Sequence, residues 1–232
     1  MSRASDFTPP GARRGTTVRC MFLDAIRWKK VDTEEVAQRH ALIDISMDSV
    51  SLEDLYGDTP EQFFVHSGDI VLDGLVHLTE GGRTVYVIEG DLTINGSFAF
   101  EGGSDNTALY VTGSLRAHSV LCRSSAELFV GGSLIVRDLL VAMLDDAGHL
   151  VVHGDTSARA WLELRGRGAI YLSMAPTARL IGTKTSGENG SPYFESEGED
   201  AAGALVPTLL KDGVAWEAAL RDAFIEGRPL LK

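Results

Sequence analysis

The sequence predicts a mainly β fold, a single-stranded β-solenoid of about five turns of about 22 residues, with a small α/β cap before it and a helix after it. Three observations predict it. Five segments align on a glycine, at Gly68, Gly90, Gly113, Gly132 and Gly154, and the intervals are 22, 23, 19 and 22 residues. Each glycine follows a short β-rich run, at 63–65, 85–88, 109–111, 128–130 and 150–152. Each also precedes a run in which apolar and polar residues alternate, such as Leu92, Ile94, then Phe98 and Phe100, the period of a half-buried strand. One such unit is too small to bury a core alone. Five of them, stacked at about 4.8 Å, make a body about 24 Å long with Leu, Ile, Val and Phe inside.

The elements follow in order. Residues 1–18 read as a flexible basic arm. Residues 19–66 read as an α/β cap: Asp32, Thr33, Glu34 and Glu35 open a helix that runs to Ala41, their carboxylates favouring its positive end. A strand over 42–46 and a turn ended by Gly57, Asp58, Thr59 and Pro60 follow. The solenoid spans 67–182. Its recurring Gly-Asp or Gly-Ser supplies turn chemistry, because Gly tolerates positive φ and Asp or Ser bonds the local backbone. Residues 183–205 form an acidic loop rich in Gly and Ser. Residues 206–232 hold a helix over 214–225, with Trp216, Leu220, Ala223 and Phe224 on one apolar face and Gly227 and Pro229 closing it. A solenoid exposes a sheet edge at each end. The N-terminal unit and this helix are the expected caps.

The chain carries 21 Lys and Arg against 33 Asp and Glu, a net charge of −12, which opposes sequence-independent nucleic-acid binding. The charge is uneven. Residues 1–30 hold seven basic residues against Asp6 and Asp24, so residues 31–232 carry −17 and suit a basic protein partner. Cys20 and Cys122 are too few for a disulfide framework or a cysteine zinc site. No apolar run is long enough to span a bilayer, and no apolar segment follows the N-terminal basic residues as in a signal peptide; a cytoplasmic location is expected. Contact of residues 18–30 with a membrane surface is a weaker alternative to their packing on the body.

The runs VIEGDLTINGSFAF, LYVTGSLRAHSV and LFVGGSLIVRDL resemble bactofilin-type, polymer-forming β-helix proteins of bacteria, and other bacterial β-solenoids with G-D-L repeats. The likeness covers about residues 67–172. It implies a right-handed β-helix, no nucleotide cofactor and end-to-end polymerisation. The chain differs in its longer repeats, its N-terminal unit and its terminal helix.

A search for chemistry finds no catalytic, cofactor or metal site. Asp69, Asp91 and Asp155 share one repeat position, but Ser114 and Ser133 interrupt the column, and turn formation explains all five. His149 and His153 share a strand face about 13 Å apart, too far to hold one ion with Asp155. There is no G-x-S-x-G, H-E-x-x-H or P-loop. Function is therefore sought on surfaces. Glu101, Asp105, Asp145 and Asp146, in two comparable loops, are the candidate protein-binding residues, joined by Glu195, Glu197, Glu199 and Asp200 as a negative face. Trp161 is the aromatic candidate, as exposed anchor or as core of the terminal turn. The reading is a non-enzymatic protein that binds protein. The resemblance points to a scaffold or polymer-forming subunit that self-associates, the acidity to an immunity-type protein that neutralises a basic toxin. A carbohydrate-active β-helix enzyme is the third reading, and it requires carboxylates clustered in a groove.

Overall fold

The structure, a computed structural model, describes residues 26–32, 62–79, 84–103, 107–145, 148–164, 168–182 and 199–232. The chain coils as a β-solenoid between two sheets. The first sheet contains β1 (Lys29–Val31), β2 (Gln62–Ser67), β5 (Thr84–Glu89), β7 (Thr107–Val111), β9 (Ala126–Val130), β11 (His149–Val152) and β13 (Ala169–Leu172), in that spatial order. The second contains β3 (Ile70–Asp73) and β4 (Val76–Leu78), then β6 (Leu92–Glu101), β8 (Leu115–Ser124), β10 (Leu134–Leu144), β12 (Thr156–Glu163), β14 (Thr177–Gly182) and β15 (Glu199–Asp200). All neighbours along the coils are parallel; only β1 is antiparallel, against β2.

The register is strict because identical positions stack coil on coil. Tyr86, Leu109, Leu128, Leu150 and Ile170 form one inward column. Phe98, Val120, Leu140 and Trp161 form another from the opposite sheet. These side chains meet in the interior cluster, and Trp161 is 0% exposed there. A sixth coil, β13 and β14, continues the stack beyond the five aligned glycines, with Met174 where the earlier coils have Gly154.

The glycine column has a steric cause. A Cβ on Gly113 would lie 2.6 Å from the Gly90 carbonyl oxygen, and one on Gly154 would lie 2.6 Å from that of Gly132. At Gly90, Gly113, Gly132 and Gly154 the backbone of the preceding coil approaches too closely for a side chain. Spacing varies at the other corner, where β10 and β11 are joined by several residues but β8 and β9 by Ser125 alone. Ser124, at φ 57, turns the chain there, which accounts for the short 19-residue interval.

Several boundaries differ from the expectation. The solenoid begins at Gln62, because β2 already pairs with β5. Glu199–Asp200 and the short helix α1 (Ala201–Ala204) stand in what reads as loop; Asp200 caps α1 by accepting from the Ala202 amide at 3.1 Å. A 3₁₀ turn (Pro207–Leu209), a hairpin of β16 (Leu210–Lys211) and β17 (Val214–Ala215), and α2 (Glu217–Glu226) follow. The helix starts three residues later than expected because Val214 and Ala215 pair with Lys211 and Leu210. It ends as expected: Gly227 is left-handed at φ 64, and the Arg228 amide donates to the Ala223 carbonyl. The helix expected over 32–41 and the strand over 42–46 lie almost wholly outside the described residues.

The strands open as expected, with Leu92 and Ile94 buried and Asn95 exposed at the start of β6; the largest departure is that β5, β7, β9 and the later parts of β6, β8 and β10 are buried on both faces. The helix does not close the end of the solenoid. It lies along its flank, where Leu220, Ala223, Phe224, Leu230 and Leu231 cover the outward residues Ala99, Leu121, Val141, Leu162 and Ile181 of the second sheet. Outward residues of the first sheet, including Phe63, Val85, Val87, Tyr110 and Phe129, form a third buried cluster. Burial of Tyr110 pushes its phenol pKa upward.

Candidate interaction surfaces

The two ends of the stack are treated differently in the two sheets. At the N-terminal end β1 covers the edge of β2, while Ile26 joins the interior cluster and Trp28 packs beneath it, 5.1 Å from the ring of Tyr86. The β3 and β4 edge of the second sheet has no partner strand there among the described residues. At the C-terminal end the arrangement is reversed. There β15 pairs with Ile181 and Gly182 at the end of β14, and β13 is the last described strand of the first sheet. Lys29 and Lys30 face solvent on β1, and β3 and β4 are short strands separated at Gly74, features that discourage further pairing.

The column of turn residues is continuous. Asp69 accepts the Asp91 amide at 2.9 Å, Asp91 accepts that of Ser114 at 2.8 Å, Ser114 accepts that of Ser133 at 3.1 Å, and Ser133 accepts that of Asp155 at 3.3 Å. Serine therefore does the work of aspartate, and the bonds run between coils rather than within each turn. Arg116 adds a 2.7 Å contact to Asp91. The Ser114 amide, then the Arg116 side chain, hold the Asp91 pKa below its ordinary value.

Two candidate binding residues are not at the surface. Trp161 fills the interior, so it offers no exposed anchor. Glu101, at the outward end of β6, is 8% exposed and is enclosed by Arg221 of α2 at 2.7 Å, His77 of β4 at 3.5 Å and Arg123 of β8 at 3.7 Å. Burial pushes its pKa up, but His77 and Arg221 outweigh burial and hold it below the usual value. Arg123 also grips Glu217, at the start of α2, at 2.9 Å. Glu101 is thus an internal anchor for the C-terminal helix, and neither His77 nor Arg221 carried a sequence signal for that partnership. Asp145 is exposed and accepts from Ser125 Oγ at 2.9 Å. Asp105, Asp146, Glu195 and Glu197 lie outside the described residues. Of the other residues expected on the negative face, Asp145 and Asp200 are exposed.

The structure brings out a residue that the helical pattern places wrongly. Trp216 is 47% exposed, and Val214 beside it 54%. Trp216 precedes α2, its amide bonded to the Leu209 carbonyl, and only Leu220, Ala223 and Phe224 of the expected apolar face are buried. Asp212 and Gly213, at φ 55 and 81, make the two-residue turn of the hairpin. That Asp-Gly pair was the available sign that β-structure, not helix, occupies 210–215.

Among the described residues, no three His, Cys, Asp or Glu side chains gather to hold a metal ion, and no helix is long and apolar enough to cross a membrane. The sequence matches no protein-family model, no curated protein and no solved structure. The fold alone classifies it: a β-solenoid.

Proposed function

We propose that the chain is a non-enzymatic, cytoplasmic β-solenoid that acts through protein–protein binding as a discrete particle. One observation carries the discrete form. In a head-to-tail stack, β13 of one molecule must meet the β2 edge of the next, where β1 pairs with Phe63, Phe64 and Val65, and β14, where β15 pairs with Ile181 and Gly182, must meet β3. Each sheet is therefore blocked on one side of every joint. Strong acidity supports a basic protein as the partner, as for an immunity-type protein that neutralises a basic toxin. The commitment of the Asp69 and Asp91 carboxylates to inter-coil bonds supports a structural over a carbohydrate-active role. The second reading, a scaffold or polymer-forming subunit, is favoured by the repeat runs that resemble bactofilins.

Light scattering after size exclusion over a concentration series, with negative-stain images of the same samples, tests the choice. The expected result is one mass independent of concentration. Filaments at any concentration overturn the discrete reading and favour the polymer-forming one.

A further inference from the structure

We infer that the open edge of β3 docks a short, extended, basic segment of a partner protein, which adds to the second sheet as a strand; this deepens the protein-binding reading above and rests on it. The edge has no partner strand among the described residues. The amides of Ile70 and Gly74 donate into the next coil, to the Asp91 and Asn95 carbonyls. Those of Val71 and Asp73 therefore point the other way, along the open edge. Main-chain bonds along such an edge supply affinity, and side chains at alternate positions supply selectivity. Val71 is 66% exposed, more than any other large apolar side chain among the described residues, and it shares the outward face with Asp73. The break at Gly74 leaves four residues in line, room for a short peptide strand but not for a ten-residue strand like β6 or β8 of a second copy.

The charge on this edge selects the occupant, because its carboxylates have no cation of their own. Residues 61–115 hold eight Asp and Glu and a single Lys or Arg, Arg83. Asp91 is held by Arg116, and Glu101 by Arg221. Asp69 and Asp73, which flank Val71, are exposed and make no ion pair among the described residues. Each accepts one neutral donor at 2.9 Å, the Asp91 amide and the Asn95 side chain respectively. The cations at this end of the stack, Arg27, Lys29 and Lys30, lie on or beside β1, at the edge of the other sheet, where Lys30 bonds Gln62. The complementary strand sets an apolar side chain against Val71 and Lys or Arg two residues to either side.

The test titrates the full chain into a fluorescein-labelled peptide, Lys-Thr-Val-Thr-Lys-Thr, and follows fluorescence polarisation. Two comparison peptides carry Glu in place of Lys, or N-methyl groups on the amides that would face β3. The lysine peptide is expected to bind, and each comparison peptide to bind at least about tenfold more weakly. The double variant Asp69→Asn with Asp73→Asn keeps both oxygen acceptors and removes both charges. It should lose at least about tenfold in affinity for the lysine peptide at an unchanged melting temperature. Val71→Lys, at an exposed position, should do the same. Equal binding of the lysine and glutamate peptides overturns the basic occupant, and full binding of the N-methylated peptide overturns strand addition. Full binding by both variants, or no binding of any peptide, overturns this edge while leaving a protein-binding role elsewhere on the molecule. So does a dimer that Val71→Lys abolishes, which assigns the edge to a second copy. Filaments in the scattering experiment count against the discrete reading alone.

Discussion

Arg221 of the C-terminal helix places its Nε 2.7 Å from the Glu101 carboxylate of the second coil and joins the last element of the chain to one of the first. The pair is the centre of a small ionic cluster, with His77 and Arg123 on the other sides of the carboxylate and Glu217 returning from α2 to Arg123. Apolar burial holds the helix on the flank. The ionic cluster fixes where along the flank it sits.

Removal of the buried partner should be costly. Glu101→Leu leaves Arg221 without its carboxylate and is expected to lower stability by about 3 kcal/mol in urea unfolding. The pH dependence has a definite sign. Because the folded pKa of Glu101 is lowered, its stabilisation is complete above the unfolded carboxylate value and is lost as pH falls through the lower folded value. The stability difference between wild type and Glu101→Gln should therefore narrow in acid, below about pH 4.

Gly113→Ala tests the steric column. The new Cβ would sit 2.6 Å from the Gly90 carbonyl oxygen, and main chain cannot turn aside as a side-chain end can. A loss of about 3 kcal/mol is expected. Gly68→Ala, in the first coil, meets no atom within 4 Å but must adopt φ +115, so it should cost about 1–2 kcal/mol. Denaturant midpoints of the two variants would show the order.

The inter-coil ladder makes a substitution pattern testable at Asp91. Asp91→Ala removes the acceptor for the Ser114 amide and the Arg116 partner and is expected to cost about 1 kcal/mol. Asp91→Ser should cost less, because Ser114 and Ser133 already accept the next coil's amide from the same position. Thermal melts at equal protein concentration measure the difference.

Cys122 lies fully buried in the interior, and burial pushes its thiol up to about 12. In a Cys20→Ser background the native protein should not react with a thiol reagent at pH 8, and labelling should appear at the rate of unfolding. Rapid labelling without denaturant would show that the interior opens near coil three.

The interior of the solenoid was legible in the sequence for a local reason. The glycines at 68, 90, 113, 132 and 154 and the strand runs before them mark a corner and a register that recur, and each inward column repeats one position of the unit. The candidate surface residues were less legible. Trp161 reads equally as anchor or core, and its place below Leu180 and above Leu140 in a stacked column decides for core. Glu101 reads as one acid in a loop until β6 is seen to carry it outward beneath α2.

By itself, then, the sequence determined the parallel coils, the glycine corner and the contents of the interior, because these depend on spacing within a repeat of about 22 residues and on stacking of like upon like. Tertiary structure decided what covers the outside. It laid the C-terminal helix on a flank rather than an end, buried Glu101, turned Trp216 out to solvent and covered the two sheets at opposite ends. Each of these depends on contacts between segments far apart in the chain, where no period links one partner to the other.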